Sequence, residues 1–590
     1  MAGKVAQLQS LTNADNLAKQ LSSLFNNWWI QRQPKEAEWK ELRNYLFATD
    51  TTKTTNSRLP WKNKTTIPKL TQIRDNLHAN YMDAVFPNDN WLKWEGYSSE
   101  AVIKNKRTVI EAYMKNKLRE GGFREIISKC LYDYIDYGMP FAEAVWVKET
   151  VKNYAGEIET TYVGPKALRI SPHDHIFNPI AASYTNSPKF TRYMKSLGEL
   201  KKEIISREDL QFNPAVFDKL LALRKQMTDF RMEDIAKSEG YSVDGFGSLK
   251  EYYQSGLVEI LEFEGDIYDQ DTGELKENRI ITIADRKYVL RDINNPSWLG
   301  QDNKCTVTWR ERPDNLYGMG PLDNLVGMQY RLDHLENLKA DALDQTILPP
   351  KMIKGDVEPF EWGPGVDIHV PEDGDVTLLA PNQAAFMVNN EIHSLMQLME
   401  EMAGAPKEAM GIRTPGEKTA FEVQQLQNAA GRIFQNKINK FEIEFMEPLI
   451  NKMLELAKRH MDVADVARVM DDDLGVTEFI SITKEDITSK GKLRPMGARH
   501  YAARAQLVQN LVGIFNSPIK EFIAPHVSGK ELSKMVNEYM GFEQYKFIKD
   551  NAAVFEGKET QRLLNQAQTT VQNEIATPIE ENMVTNQQIT

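Results

Sequence analysis

Two cysteines in 590 residues, Cys130 and Cys305, are too few for a disulfide framework and fit a reducing compartment. No run of about 18 apolar residues occurs, so no membrane-spanning helix is expected. The opening segment MAGKVAQLQSLTNADNLAKQ lacks the apolar core of a secretory signal. There is no CxxC, HExxH or GxSxG, which removes the commonest zinc and nucleophile-elbow chemistries. Basic charge is also short. With 72 Lys and Arg against 84 Asp and Glu the net charge is −12, which excludes a strongly basic nucleic-acid binder. What remains is 41% hydrophobic and 26% charged, enough apolar material for real cores in a chain long enough for several domains.

Apolar residues at helical spacing predict a helix over 12–48 (Leu17, Leu21, Leu24, Trp28, Trp29, then Trp39, Leu42 and Leu46 beyond Pro34) and another over 69–86 that stops at Pro87. A long helical stretch is expected from Ser98 to about Tyr137, broken at Gly121-Gly122. From Phe141 the texture changes to alternation and β-branched residues, as in FAEAVWVKETV, LVEILEFEGDIYD and NRIITIADRKYVLR, with a charged helical stretch over 196–238 between them. Residues 1–320 therefore predict one mixed body, helices first and a small sheet late. Residues 321–347 predict a helical rod of roughly 40 Å, with Pro321 in its first turn and Pro349-Pro350 forbidding continuation. A compact Pro/Gly-rich insert follows at 348–383, then a second rod at 384–403, which suggests an antiparallel pair with a small unit at its tip. A long helix is expected over 419–465 with a kink at Pro448, whose ring meets the carbonyl of Glu444. Residues 466–560 predict further helices with one strand, EFISIT, and 561–590 a flexible polar tail. The fold class expected is α+β, mainly α.

The stretch GIRTPGEKT, 411–419, nearly matches a phosphate-binding loop, GxxxxGK[ST]. Gly411 and Gly416 have the right spacing, but Glu417 intrudes before Lys418 and places a carboxylate where phosphates need backbone amides. A strand should precede such a loop, and here a helix does. Thr419 with Glu422 reads better as a capping box opening the next helix. His173 and His175 flank Asp174, but two ligands make no zinc site and no third lies nearby, so a hydrogen-bonded strand-to-turn segment is expected. DQDTGE has the look of a calcium loop without its Gly in register or its closing Glu, and reads as a hairpin turn. No metal or cofactor is implied.

Charge distribution says more. Residues 321–403 hold four basic and fifteen acidic residues, a net −11 that nearly equals the charge of the whole chain. Asp333, Glu336, Asp341, Asp344 and Glu391 lie on the two rods. The plain expectation is a solvated face on each rod.

Four segments together resemble portal (head-to-tail connector) proteins of short-tailed double-stranded DNA phages: PWKNKTTIPKLTQIRDNLHANYMDAVFPNDNW at 60–91, ISPHDHIFNPIAAS at 170–183, LYGMGPLDNLVGMQYRLDHLENLKADAL at 316–343, and PGEKTAFEVQQLQNAAGRIFQNKINKFEIEFMEPLI at 415–450. No single motif is diagnostic; the order of pieces carries the likeness, over most of 40–460. The resemblance implies a dodecameric ring at one capsid vertex of the virion, with 1–320 as wing, the rods as stem, 348–383 as clip, 404–418 as tunnel loop, 419–465 as a long kinked helix and 466–560 as wing and crown helices. Double-stranded DNA would pass during packaging by a separate terminase motor and leave by the same route. The major capsid protein and a tail adaptor at the clip would be further partners, and no membrane is involved. Lys407, Arg413 and Lys418 would offer transient phosphate contacts in the channel. Were the acids of 321–403 to face inward, twelve copies would carry −132 and repel DNA, giving a guide rather than a binding site. Such a protein is no enzyme. The competing reading is an ATPase built on the degenerate loop, in the manner of the packaging motor, but no acidic Walker B strand follows and no arginine finger can be argued. A helical scaffold without a channel is the third reading.

Overall fold

The computed structural model describes residues 5–497 apart from 88–90, 98–100, 153, 155, 207–209, 225–256, 356, 358–368, 380–386, 404–432, 462–464, 471–476 and 489. The expected tunnel loop with Lys407, Arg413 and Lys418, the capping pair Thr419 and Glu422, the middle of the insert, and the crown and tail beyond 497 lie outside the described residues.

A strand, β1 (Val5–Leu8), precedes one unbroken helix, α1 (Ala14–Leu46), with Pro34 inside it. Asn13 caps this helix by accepting from the Asp15 N–H. The apolar spacing in α1 serves two cores. Leu17, Leu21, Phe25, Trp28 and Trp29 pack on a sheet, while Leu42, Tyr45 and Leu46 enter a separate helical core. Burying Phe25 or Leu21 is worth roughly 1.5–3 kcal/mol each. Between the two, Arg32 is buried and donates to the carbonyls of Pro172, His173 and His175 at 2.8–3.0 Å.

Next come α2 (Lys69–Val85), β2 (Leu92–Gly96), α3 (Ala101–Glu120) and α4 (Phe123–Asp136). Gly122, at φ +68, makes the break that the paired glycines signalled. The next strands are β3 (Phe141–Lys152), β4 (Ile158–Ile170), β5 (His175–Phe177) and β6 (Lys189–Ser196). They are followed by α5 (Leu197–Ser206), α6 (Pro214–Arg224), β7 (Leu257–Asp269), β8 (Leu275–Ala284), β9 (Tyr288–Asn294), β10 (Lys304–Thr306), β11 (Arg310–Arg312) and β12 (Asn315–Met319). β5 to β9 run in order through an antiparallel sheet. β6 leaves β7 at Glu264, and β1 takes over that strand in parallel from Asp266. Gly265 sits at the handover with φ +144, where a Cβ would meet Pro188 Cα at 2.7 Å, so a side chain cannot stand there. A second sheet has the order β10-β3-β4. Five strands of the larger sheet thus lie at 175–294, and one more, residues 5–8, joins it from before the first helix.

Helix α7 (Val326–Ile347) starts after a 3₁₀ turn at Asp323–Leu325, a few residues later than Pro321 suggested. β13 (Lys351–Lys354) and β14 (Asp375–Leu378) form an antiparallel ribbon, and α8 (Val388–Met402) packs on α7. A helix covers 433–441 and passes through a π-helical turn, Glu442–Met446, into α9 (Glu447–His460). The Glu447 N–H reaches back five residues to the Glu442 carbonyl. This widened turn lies just before Pro448 and resets the hydrogen-bond register where the proline has no N–H to give. Helix α9 ends at His460 rather than 465, and 465–470 is a strand: β15 (Asp465–Met470) pairs with β16 (Thr477–Ile482). After a short helix at Lys484–Ile487, β17 (Gly491–Pro495) pairs with β2, 395 or more positions earlier in the chain. The described part of 466–560 is therefore mainly strand, not helix. The whole is a mixed chain of helices and several small sheets.

Candidate functional surfaces

Helix α7 carries a polar ladder. Residues four apart lie nearly above one another on a helix, and Gln329, Asp333, Asn337 and Asp341 occupy such a row. The segment 62–70 runs antiparallel along it. Gln329 donates to the Ile67 carbonyl at 2.6 Å and accepts from the Leu70 N–H. Asp333 accepts from the Ile67 N–H at 3.1 Å, from Thr66 Oγ1 at 2.9 Å and from Gln329 Nε2 at 2.9 Å. Asn337 accepts from the Thr65 N–H at 2.8 Å and donates to its carbonyl at 2.7 Å. Asp341 accepts from the N–H groups of Lys62 and Asn63, and Asn63 Nδ2 bridges Asp341 and Asp344. The side chains of one helix thus do what a neighbouring strand would do, satisfying the backbone of an extended strap.

This places the acids expected on a wall. Asp333 is fully buried, so it presents no charge to solvent in this subunit. Burial pushes its carboxyl up to about 6 against the pull of its three hydrogen bonds. Asp341 and Asp344 hold the strap, and Glu336 pairs with Lys339. Glu391, in the first turn of α8, is exposed. Two further acids are spent internally: Asp323 pairs with Lys35 at 2.9 Å, and Glu400 makes a buried pair with Lys69 that ties α8 to the start of α2. Of the acids expected at the surface, Glu391 and, in the described part of the insert, Glu372, Asp373 and Asp375 are exposed, whereas Asp333 is not.

The far end of α7 is different. Residues 343–348 are all exposed, and Ile347 and Leu348 show 66% and 67% of their surface. Leu343, Ile353, Leu379 and Met387 are also large, apolar and exposed. Several such residues on one helix–ribbon–helix unit are the kind of surface that a partner covers.

Inside the body, charges are arranged as a weld. Lys304 on β10 lies 2.9 Å from Glu262 and 2.9 Å from Glu264 on β7, and Arg291 on β9 binds Glu262 at 2.6 Å. Tyr193 on β6 donates to Glu143 on β3 at 3.0 Å. Lys452 on α9 donates to the Lys304 carbonyl at 2.7 Å and lies 3.3 Å from Asp302, which also binds Lys189. Burial would raise Glu262, but Lys304 and Arg291 outweigh it and hold it near 2. Among the described residues no cation forms an ion pair with Glu143. Burial, reinforced by Glu262 and Glu264 against Lys304, raises it to about 7.

The two histidines are committed to structure. His175 is buried, with its ring nitrogens on Thr191 Oγ1 at 3.0 Å and Tyr184 OH at 2.8 Å. Arg43 donates to His173 Nε2 at 3.2 Å, and Glu36 lies 3.5 Å from Nδ1. Burial lowers the pKa of both rings. His173 is in the turn before β5, so the pair does not share a strand face. Asp269 closes the DQDTGE turn by accepting from the N–H groups of Asp271 and Leu11. Among the described residues no group of three metal-ligating side chains forms, and no helix is long and apolar enough to cross a membrane. Sequence reading missed the ladder. Its signal was present as Gln, Asp, Asn and Asp at a spacing of four along one helix. Compared with known proteins, the chain matches no described protein family and no curated protein.

Proposed function

We propose that the chain is a subunit of a ring-shaped conduit for double-stranded DNA, the portal at one vertex of a short-tailed phage capsid. The resemblance of the four segments supports this reading, and one structural observation carries it furthest. The helix–ribbon–helix unit α7, β13–β14 and α8 ends in apolar side chains that no described residue covers. An apolar helical end of this kind is covered economically when identical copies stand side by side around an axis. In this reading α7 and α8 form the stem, the ribbon belongs to the clip, the strap braces each stem helix from within its own subunit, and the twelve-membered ring needs no catalytic group. The terminase motor is its partner during packaging, and the major capsid protein and a tail adaptor are its partners in the virion. Electron microscopy of the purified protein tests it: rings with an axial hole are expected, and monomers or filaments would sink it.

A further inference from the structure

We propose that Arg310 and Lys437, with the amide side chains and the lysine beside them on helix 433–441, form a docking surface for the phosphate backbone of nucleic acid. The proposal rests on the conduit reading for the choice of nucleic acid as the ligand. It moves the point of contact away from Lys407, Arg413 and Lys418, where the sequence placed it.

Trp309 is buried and donates its indole N–H to Tyr81 OH at 3.1 Å, so its ring is fixed. Two cations are held against that ring: Lys437 Nζ lies 4.6 Å and the Arg310 guanidinium 5.3 Å from its centroid. Lys437 also donates to the Trp309 carbonyl. Both side chains are half-buried, and among the described residues no carboxylate pairs with either. Neighbouring cations are otherwise matched: Lys440 lies on Glu311 and 3.8 Å from Glu444, and Arg312 is 4.0 Å from Glu38. Burial, then the proximity of Lys440 and Arg310, lowers the pKa of Lys437, with Glu311 opposing. Two like charges packed on one rigid ring, with the nearest carboxylate, Glu311, already paired to Lys440, are better placed when an anion joins them.

The chemistry of the surroundings selects the anion. Residues 433–441 read IFQNKINKF, without an acid in a chain of net charge −12. Gln435 and Asn436 are exposed on that helix. Lysine, arginine, asparagine and glutamine are the side chains that contact phosphate oxygens without reading bases. A peptide carboxylate would need only the two cations, whereas a run of neutral amide donors beside them fits successive phosphates. Binding is therefore expected to be independent of sequence and strongly dependent on salt.

The test uses the full chain in its native oligomer, a labelled 30-bp duplex, and fluorescence anisotropy between about 50 and 200 mM NaCl. Arg310→Gln with Lys437→Gln is expected to weaken binding about tenfold or more at the lowest salt, and to lower the salt slope by about 2 for each subunit in contact. Glu311→Gln is expected to tighten binding. Arg310→Gln alone, which removes no hydrogen bond among the described residues, keeps the test decisive if the double variant does not fold. An unchanged affinity and slope would overturn the proposal. So would a wild type that binds no duplex at low salt, or a double variant that loses its oligomeric state while binding duplex as before, which would assign the cations to acids of a second copy. Imaging the same samples separates the two readings. Intact rings with unchanged duplex binding in the variant sink this proposal alone, and absence of rings with duplex binding lost in the variant sinks the conduit reading alone.

Discussion

Replacing Asp333 by Asn is expected to stabilise the protein above pH 6, although it removes one of the acids that charge counting placed on the stem. The buried carboxylate accepts three hydrogen bonds. An asparagine can keep all three, because its Oδ1 accepts from the Ile67 N–H and Gln329 while its Nδ2 donates to Thr66 Oγ1, a hydroxyl that works in either direction. What the substitution removes is the cost of ionisation in a buried place. An ordinary aspartate loses its proton near 3.8, and this one holds it to about 6. A carboxyl raised in the fold favours folding most below its unfolded value, and that advantage fades as pH rises from about 4 to about 6. The difference amounts to about 3 kcal/mol as an upper limit. Urea unfolding of wild type and Asp333→Asn at pH 4 and pH 8 checks this. Near-equal stability at pH 4 and a gain of about 1–3 kcal/mol for the variant at pH 8 are expected. A variant less stable than wild type at pH 8 would refute the reasoning and show that the charge itself, not its hydrogen bonds, holds the strap.

Asn337→Ala removes both bonds to the backbone of Thr65, an exposed residue whose N–H and C=O water can partly re-pair, so it should cost about 1–2 kcal/mol and speed proteolysis within 59–67. Breaking the buried pair with Lys69→Met should cost about 3–5 kcal/mol, and adding Glu400→Met should recover most of it, as a double-mutant cycle will show. Glu143→Gln should match wild type in stability at pH 4 and exceed it at pH 8, because the raised carboxyl of Glu143 loses its advantage between about 4.5 and about 7. Cys130 and Cys305 are buried and their thiols are raised by burial, so a thiol reagent should label neither in the folded chain and both in urea.

Much of the local structure was legible, and the reason is periodicity. Leu17 to Trp29 and Leu42 to Leu46 marked α1, Gly122 marked the α3–α4 break, and Asp271 to Gly273 marked the β7–β8 turn, because each signal lies within a few residues of its own consequence. Pairings across the chain were not legible. Leu92–Gly96 forms a strand only because Gly491–Pro495 lies beside it, and Val5–Leu8 only because β6 vacates β7 at Glu264. The acidic stripe was misjudged for the same reason. Asp333 and Asp341 look like a solvated face until the strap 62–67 is seen to cover them, and only Asn337 between them and Gln329 before them hinted that this face binds backbone rather than water. The exposed tip, Leu343, Ile347 and Leu348, was apolar at helical spacing, but a single chain cannot say what an apolar face packs against.

The central claim is that identical copies cover that tip around an open axis. Images of the wild-type protein and of Ile347→Asp with Leu348→Asp, collected side by side, test it most directly. Closed rings with an axial hole for the wild type, and folded but separated subunits for the variant, are predicted. Wild-type monomers, or rings that persist unchanged in the variant, would contradict the account.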